Sequence, residues 1–133
     1  MLGRRLIIVE CGSNDELDHS FATIAERGAG AVLPGVLLGA NVDAILSLAT
    51  QYKIPVGGFA SQGGLMSYGI DFTDQIRIAA SLVGQILHGA MPADLPVRKS
   101  TKFHFIINLK TAKQLGLKVP QHLLAFADEL IGE

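Results

Sequence analysis

The sequence predicts an α/β fold: a parallel sheet with helices on both faces, plus an appended strand and a long helix. Two observations carry this prediction. Short apolar runs rich in Ile and Val alternate with segments of helical spacing over the first 57 residues, and that order is typical of a parallel sheet. The pattern then changes, because two glycine pairs precede a short strand and a long helix in the middle of the chain.

The chain begins with a strand and a helix. Arg5–Cys11 is a short continuous apolar run, which predicts a buried parallel strand. Ser13 and Glu16 fit a capping box, in which Ser13 caps the amide of Glu16 and Glu16 reaches back. The helix that follows is expected to stop at Gly28.

Two more strands and a second helix complete this half. Ala31–Leu33 predicts a second strand that ends at a Pro-Gly pair. Asn41 is the expected cap of a helix that runs to about Tyr52. A third strand begins at Lys53–Val56, where the proline suits the start of a strand.

The middle of the chain holds the appended pair. Leu65–Tyr68 is predicted to be a short strand. Thr73 or Asp74 opens a long helix that ends at Gly89, and Met91–Pro96 is a proline-rich connector.

The last part adds a strand and two helices. Phe103–Asn108 alternates as a strand, and Asn108 is expected to cap a short helix that ends at Gly116. A final helix is predicted over Gln121–Ile131.

The composition bounds the function. The 133 residues include 49% hydrophobic and 17% charged residues with a net charge of −1, which indicates a globular domain without the basic surface of a nucleic-acid-binding protein. Cys11 is the only cysteine, so no internal disulfide forms. The four histidines lack metal-ligand spacing. No phosphate-loop, dinucleotide or nucleophile-elbow motif is present, and no specific feature supports an enzyme.

The N-terminus carries no recognisable targeting signal. Its apolar run, Leu6–Val9, has four residues, whereas a signal peptide needs about 7–15 and a membrane span about 20. We therefore expect the chain as written to stay in the cytoplasm.

The residues that follow the predicted strands are the candidate ligand-binding residues, because ligands of open α/β sheets bind at the carboxyl ends of the strands. Amides beside Ser13 would suit an anionic group, although a simple helix cap is the competing interpretation. Phe59 would pack against an apolar group. The glycine-rich stretch around it suits a crossover, and an ordinary surface loop remains open. The candidates are Ser13, Asn14, Gly35, Phe59, Ser61, Gln62 and Ser67.

Three motifs resemble one family. Gly63–Gly69 (GGLMSYG), Gly89–Val97 (GAMPADLPV) and Phe103–Pro120 (FHFIINLKTAKQLGLKVP) are similar to the C-terminal half of the ABC transporter substrate-binding proteins, some of which are linked to aromatic amino acid uptake. The last motif is the most specific. The resemblance extends over nearly the whole chain.

The resemblance implies a two-lobed ligand-binding protein of the type I periplasmic kind, of which this chain matches a part. Residues 1–57 and 97–133 look like the second lobe, residues 63–91 like a piece of the first, and most of the first lobe has no counterpart. The implied ligand is a small solute such as an amino acid, the implied partner an ABC permease, and the implied location the periplasm. No cofactor is implied. Gly35 stands where relatives often carry an aspartate, which puts one ligand contact in doubt.

The long helix carries an apolar stripe that includes Ile76, Ala80, Val83 and Leu87. In the implied two-lobed protein this stripe would pack on the first lobe, so we expect a homodimer that covers it here. We also expect the isolated monomer to bind a solute weakly, because one wall of the cleft has no counterpart. A self-associating structural fragment without a transport role is the alternative function, and a small flavodoxin-like enzyme is a third possibility.

Overall fold

The computed structural model describes residues 3–35 and 41–132. Within these residues the chain forms five α-helices and three β-strands. The helices are α1 Leu17–Glu26, α2 Val42–Tyr52, α3 Phe72–Leu87, α4 Leu109–Gln114 and α5 Gln121–Phe126, and the strands are β1 Met66–Ile70, β2 Phe103–Asn108 and β3 Glu129–Ile131.

The three strands form one mixed sheet in the order β1-β2-β3. β1 is antiparallel to β2, and β2 is parallel to β3. Two isolated parallel bridges lie outside the three strands. One joins Gly57 to Met66 of β1, and the other joins Val32 to Val56. The α/β class predicted from the sequence is confirmed.

The main hydrophobic core lies between α1 and α2 and against the end of the third predicted strand. Leu17 and Phe21 of α1 lie one turn apart, and so do Ile45 and Leu48 of α2, so both helices present their apolar side chains on one face. Val56 lies against that face and is one of the most buried residues. Burial of this apolar surface holds the first half of the chain together.

Both helices stop at left-handed residues, although their starts differ from the prediction. Gly28 (φ +67°) follows α1, as expected, and Lys53 (φ +53°) ends α2. The Ser13 and Asn41 side chains make no cap hydrogen bond. The Glu16 carboxylate instead accepts the Gly12 amide at 2.8 Å, so the predicted capping box is wrong.

Two capping residues precede the later helices. Asn108 caps α4 as predicted, because its Oδ1 accepts the Thr111 amide at 2.9 Å. α3 begins at Phe72, one residue before Thr73 and two before Asp74, the two predicted starts. Asp71 is its cap and accepts the amides of Thr73 and Asp74.

The predicted first strand, Arg5–Cys11, is wrong. It has no regular secondary structure, and Leu6 and Ile8 are 81% and 75% exposed. The Val32 amide and carbonyl both bond toward the third predicted strand, at Pro55 and Gly57. The second and third predicted strands are thereby reduced to the single bridge at Val32 and Val56. A cavity of about 700 Å³ is lined by residues from both the 4–11 and the 28–35 segments.

The predicted final helix is too long. α5 ends at Phe126, and Glu129–Ile131 forms β3 instead. Asp128 explains the change, because its amide donates to the Phe105 carbonyl and its carboxylate accepts the Phe105 amide, both at 2.8 Å. These two bonds bring the chain alongside β2. The residues that follow Asp128 therefore pair with β2 as a strand and do not continue the helix.

Candidate functional site

A short loop, Phe59–Gly64, connects the third predicted strand to β1. It contains a single turn of 3-10 helix, Ala60–Gln62. The Phe59 carbonyl accepts the amides of both Gln62 and Gly64 at 2.9 Å. The loop is therefore closed on itself by its own backbone.

Phe59 has an unusual backbone conformation. Its φ of +55° lies in the left-handed region, which is uncommon for a bulky residue and costs free energy that the surrounding structure must offset. Such strained residues cluster at ligand sites. Phe59 therefore marks this loop as a candidate site on conformational grounds as well as by its position.

The two ends of the loop cross closely. A Cβ on Gly64 would collide with the Gly58 carbonyl oxygen, and Gly58 itself has a φ of +98°. Glycine is required at Gly64 because only a residue without a side chain permits this approach. The two glycine pairs of the sequence therefore lie where the backbone approaches itself closely.

Two side chains near the start of α4 fasten the loop. The buried Asn108 amide donates to the Ala60 carbonyl at 2.9 Å, and the Thr111 hydroxyl donates to the Gly63 carbonyl at 2.9 Å. The sequence predicts Asn108 as a helix cap and indicates no role for Thr111. Both residues lie in the most specific of the three motifs, which is the signal that marks them.

Most of the predicted ligand-binding residues lie on or beside this loop. Phe59, Ser61 and Gln62 belong to it, and Ser67 follows Met66, whose carbonyl accepts the Gly58 amide. Gly35 follows the Val32 bridge. Because both bridges are parallel, the chain runs in the same direction after Val32, Gly57 and Met66. Ser67 itself lies within β1 and therefore inside the sheet.

Ser13 and Asn14 stand apart from the loop in the contacts they make. They begin the turn before α1 and are exposed. The Glu16 carboxylate accepts the Gly12 amide next to Ser13, so a protein anion already occupies the position suggested for a ligand anion. The Ser13 side chain itself makes no cap hydrogen bond.

The cavity lined by the 4–11 and 28–35 segments includes one of the predicted residues. Gly35 lines it, and its apolar walls include Val9, Phe21 and Ile45, with Arg4 and Arg5 also among its residues. Its volume is within the range of about 300–1,000 Å³ that is usual for small-molecule sites. None of the other six predicted residues lines it.

A polar cluster joins the beginning of α3 to the segment before β2. The Ser100 hydroxyl donates to the Asp74 carboxylate at 2.7 Å, and the Lys102 ammonium lies 3.5 Å from the same carboxylate. The hydrogen bond from Ser100 is the largest cause that lowers the pKa of Asp74. Burial of Asp74 acts in the opposite direction, and the charge and hydrogen bond of Lys102 and the charge of Arg77 lower the pKa further.

The sequence matches the model of one protein family, described as ABC transporter substrate binding protein, over residues 6–131. The chain belongs to this family. Its predicted resemblance is thereby confirmed. The family consists of substrate-binding proteins, which agrees with the absence of enzyme motifs noted in the sequence.

Solved structures share the fold. The chain is similar to a conserved domain protein from Vibrio cholerae O1 biovar eltor (TM-score 0.76, 26% identity, 87% of this chain and 41% of that chain). It is also similar to an ABC domain from Streptococcus pneumoniae in complex with L-Trp (TM-score 0.79, 25% identity, 91% and 43%). A third similar structure is the ligand-free, open form of a substrate-binding protein with adhesive properties from Clostridium difficile (TM-score 0.65, 20% identity, 99% and 46%).

This chain spans less than half the length of each of these three proteins. No protein with a curated description matches it. Within residues 3–35 and 41–132, no helix has both the length and the apolar character needed to cross a membrane.

Proposed function

We propose that this chain recognises a small solute, such as an amino acid, for an ABC-type importer. Family membership supports the class of protein. The structure from Streptococcus pneumoniae, which holds L-Trp, supports an amino acid as the first solute to test. Docking on an ABC permease and a periplasmic location are parts of the same proposal.

The proposed contact surface is the Phe59–Gly64 loop with Gly35 and Ser67 beside it. The observation that carries this assignment is the left-handed Phe59, held in a loop that Asn108 and Thr111 fasten. A loop already fixed in one conformation loses less entropy when a ligand binds.

The side chains of the loop suit an amino acid with an apolar side chain. The half-buried Phe59 ring supplies an apolar surface, while the exposed Ser61 and Gln62 supply hydrogen-bonding groups for a charged amino or carboxylate group. This division of roles is usual in small-molecule sites, which combine apolar walls with a few polar groups.

We expect the affinity of the monomer to be weak. Ser61, Gln62 and Gly35 are exposed, and Phe59 and Ser67 are only half-buried. A site that buries most of its ligand needs a second wall over these residues. Micromolar or tighter binding by a demonstrably monomeric sample would contradict this prediction.

Isothermal titration calorimetry with L-Trp, L-Phe, L-Leu and glycine tests the function. We expect heat for at least one apolar amino acid, and a loss of affinity of roughly tenfold or more in Phe59→Ala, because a buried aromatic contact is worth about 1.5 kcal/mol or more. Ser81→Ala, at an exposed position on α3, is the matched control and should leave the affinity unchanged.

The position of the ligand is tested separately by NMR chemical-shift mapping with the solute that gives heat. The largest shifts are expected at the amides of residues 58–64 and of Gly35. Shifts confined to the opposite edge of the sheet would contradict the proposed site, while the calorimetry would still support solute recognition.

The alternative function is a self-associating structural fragment without a transport role. The exposure of α3, none of whose residues is buried, is the observation that favours it. The two functions differ in the titration, since a structural fragment produces no heat with any solute and retains its self-association.

A further inference from the structure

The basic residues of the chain are concentrated in one part of the sequence. Between Asp94 and Asp128 there is no acidic residue, although the whole chain has 12. The same interval contains six of the 11 basic residues, which are Arg98, Lys99, Lys102, Lys110, Lys113 and Lys118. The net charge of −1 therefore conceals a strongly basic segment. Such a concentration of one sign of charge favours a partner of the opposite sign.

Two of these lysines lie at a groove between α4 and α5, which we name the α4–α5 groove. Its volume is about 440 Å³, and Lys113 and Lys118 are part of its lining. The apolar part of the lining consists of Leu109, Ala112, Leu117, Val119 and Leu124. The groove lies within the segments that resemble the second lobe, 1–57 and 97–133, both of which this chain contains.

The shape of the groove is fixed by the turn that ends α4. Gly116 has a φ of +68°. The Leu117 amide donates to the Ala112 carbonyl at 2.8 Å, and the Gly116 amide donates to the Lys113 carbonyl at 3.1 Å. These two bonds form a Schellman motif, which turns the chain away from the axis of α4. Because the backbone is already held by these bonds, little conformational entropy is lost when a partner fills the groove.

The positive charges at the groove are not neutralised by neighbouring carboxylates. Within residues 3–35 and 41–132, no carboxylate oxygen lies within 4.0 Å of the amino group of Lys113 or Lys118. Lys102, by contrast, already lies 3.5 Å from Asp74. Leu117, next to Lys118, is 43% exposed. The groove therefore presents apolar surface and unpaired ammonium groups side by side.

We propose that the α4–α5 groove binds a segment of a partner protein that carries an apolar side chain flanked by carboxylates. The apolar side chain enters between Leu117 and Leu124, and the carboxylates pair with Lys113 and Lys118. Burial of the apolar side chain supplies affinity, while the two charge pairs select an acidic sequence over a neutral or basic one.

The geometry and the charges of the groove exclude other occupants. A bilayer is bound by apolar side chains that project from a surface, whereas these side chains line a concave one. Single-stranded nucleic acids stack on aromatic rings, and the lining residues that the structure describes include none. Two copies of this chain that met groove to groove would place lysines against lysines, which is unfavourable.

Selection from a display library of random octapeptides tests the chemistry of the partner. The full chain should enrich peptides in which leucine, isoleucine or phenylalanine stands beside two or more acidic residues, by about tenfold or more over the unselected library. The double variant Lys113→Glu with Lys118→Glu should lose this enrichment, because its groove repels carboxylates.

Isothermal titration with the most enriched peptide, made synthetically, then measures the contribution of each group. The double glutamate variant should bind it about tenfold more weakly or worse, and Lys113→Arg with Lys118→Arg should bind it nearly as well as the wild type. Lys99→Glu makes the same charge change in the basic segment but outside the groove, and should leave the affinity unchanged. Melting temperatures near that of the wild type show that the variants are folded.

Several outcomes would overturn the proposal. These are a selection without acidic peptides, an enrichment that the double glutamate variant retains, and amide chemical-shift changes confined to residues outside 109–124. Binding to vesicles of phosphatidylserine and phosphatidylcholine that the double variant loses, without any enriched peptide, would assign the lysines to a lipid surface instead. Because neither assay contains a solute, the result is independent of the proposed solute recognition.

Discussion

The two halves of the molecule use similar amphipathic helices with opposite results. α1 and α2 bury Leu17, Phe21 and Ile45 against each other, whereas α3, the longest helix, buries no residue at all. The apolar side chains of α3 are as regular in spacing as those of α2. The difference teaches that spacing decides which residues share a face, and that burial of the face depends on what lies opposite it.

The difference between the two regions is tested most directly by truncating one isoleucine in each and comparing the loss of stability. Ile45→Ala is expected to lower the free energy of unfolding by about 2–5 kcal/mol, because it leaves a cavity in a packed core. Ile76→Ala, at a mostly exposed site, should change it by about 0.5 kcal/mol or less in dilute samples where the chain is monomeric. Urea unfolding followed by circular dichroism measures both.

The same pair of variants reports on assembly when the protein concentration is raised. A chain stabilised by association melts at a higher temperature as its concentration increases. Ile76→Ala should reduce this dependence, and Ile45→Ala should lower the melting temperature at every concentration. Equal effects of the two variants in dilute samples would show that α3 packs on its own chain.

A smaller effect is expected at the bonds that fasten the Phe59–Gly64 loop. Asn108→Ala removes both the cap of α4 and the donor to the Ala60 carbonyl, and should cost about 1–3 kcal/mol in the free energy of unfolding. Asn108→Ser keeps a capping oxygen but is too short to reach Ala60, so it should recover about 1 kcal/mol of that loss.

Hydrogen exchange at the amides of Gln62 and Gly64 distinguishes the two contributions of Asn108. Both variants should speed exchange there, since both release the loop. Faster exchange in Asn108→Ala alone would show that the cap, and not the bond to Ala60, holds the loop.

The smallest effect on stability is expected when the pH is lowered. The folded pKa of Asp74 is lowered, chiefly by the Ser100 hydroxyl. The ionised carboxylate therefore adds stability above its unfolded pKa of about 3.9, and this contribution is lost as the pH falls through the lower folded pKa. Ser100→Ala should raise the folded pKa and lessen the part of the acid-induced loss that depends on Asp74.

Melting temperatures between pH 3 and pH 7 test this prediction. Thr101→Ala, at the exposed neighbouring position, serves as the control and should follow the wild type. In Asp74→Asn the contribution is absent at every pH, so the further replacement Ser100→Ala should no longer alter the pH dependence. A persistent difference between them would assign the pH dependence to another group.

The elements that depend on neighbours along the chain could be predicted from the sequence. Helical spacing gave α1, α2 and α3 within a few residues, and the polar residue before a helix identified Asn108 as a cap. The strand β2 was also found from its pattern. For the helices and the cap the responsible contacts lie within about four residues, where spacing is informative. For β2 only the alternating pattern is local, since its partners lie on β1 and β3.

The elements that depend on distant partners could not be predicted. Arg5–Cys11 has the composition of a strand, but a strand needs a neighbour and the Val32 amide and carbonyl bond elsewhere. The end of the chain is the converse case, because Asp128 bonds to Phe105 and turns a helical pattern into β3. Phe59, Ser61 and Gln62 lie together because they are close in the sequence. The bonds by which Asn108 and Thr111 hold the loop could not be predicted, because each joins residues 48 positions apart along the chain.

The closed crossing at Gly58 and Gly64 has a practical consequence for engineering. The loop is closed by backbone hydrogen bonds to the Phe59 carbonyl, and Asn108 and Thr111 bond to two more of its carbonyl groups. We therefore expect that the exposed side chains of Ser61 and Gln62 can be exchanged without moving the adjoining strands. The loop therefore suits the construction of combinatorial libraries in which these two side chains vary. A library randomised at these two positions, with the glycines and Asn108 left intact, should therefore yield folded variants.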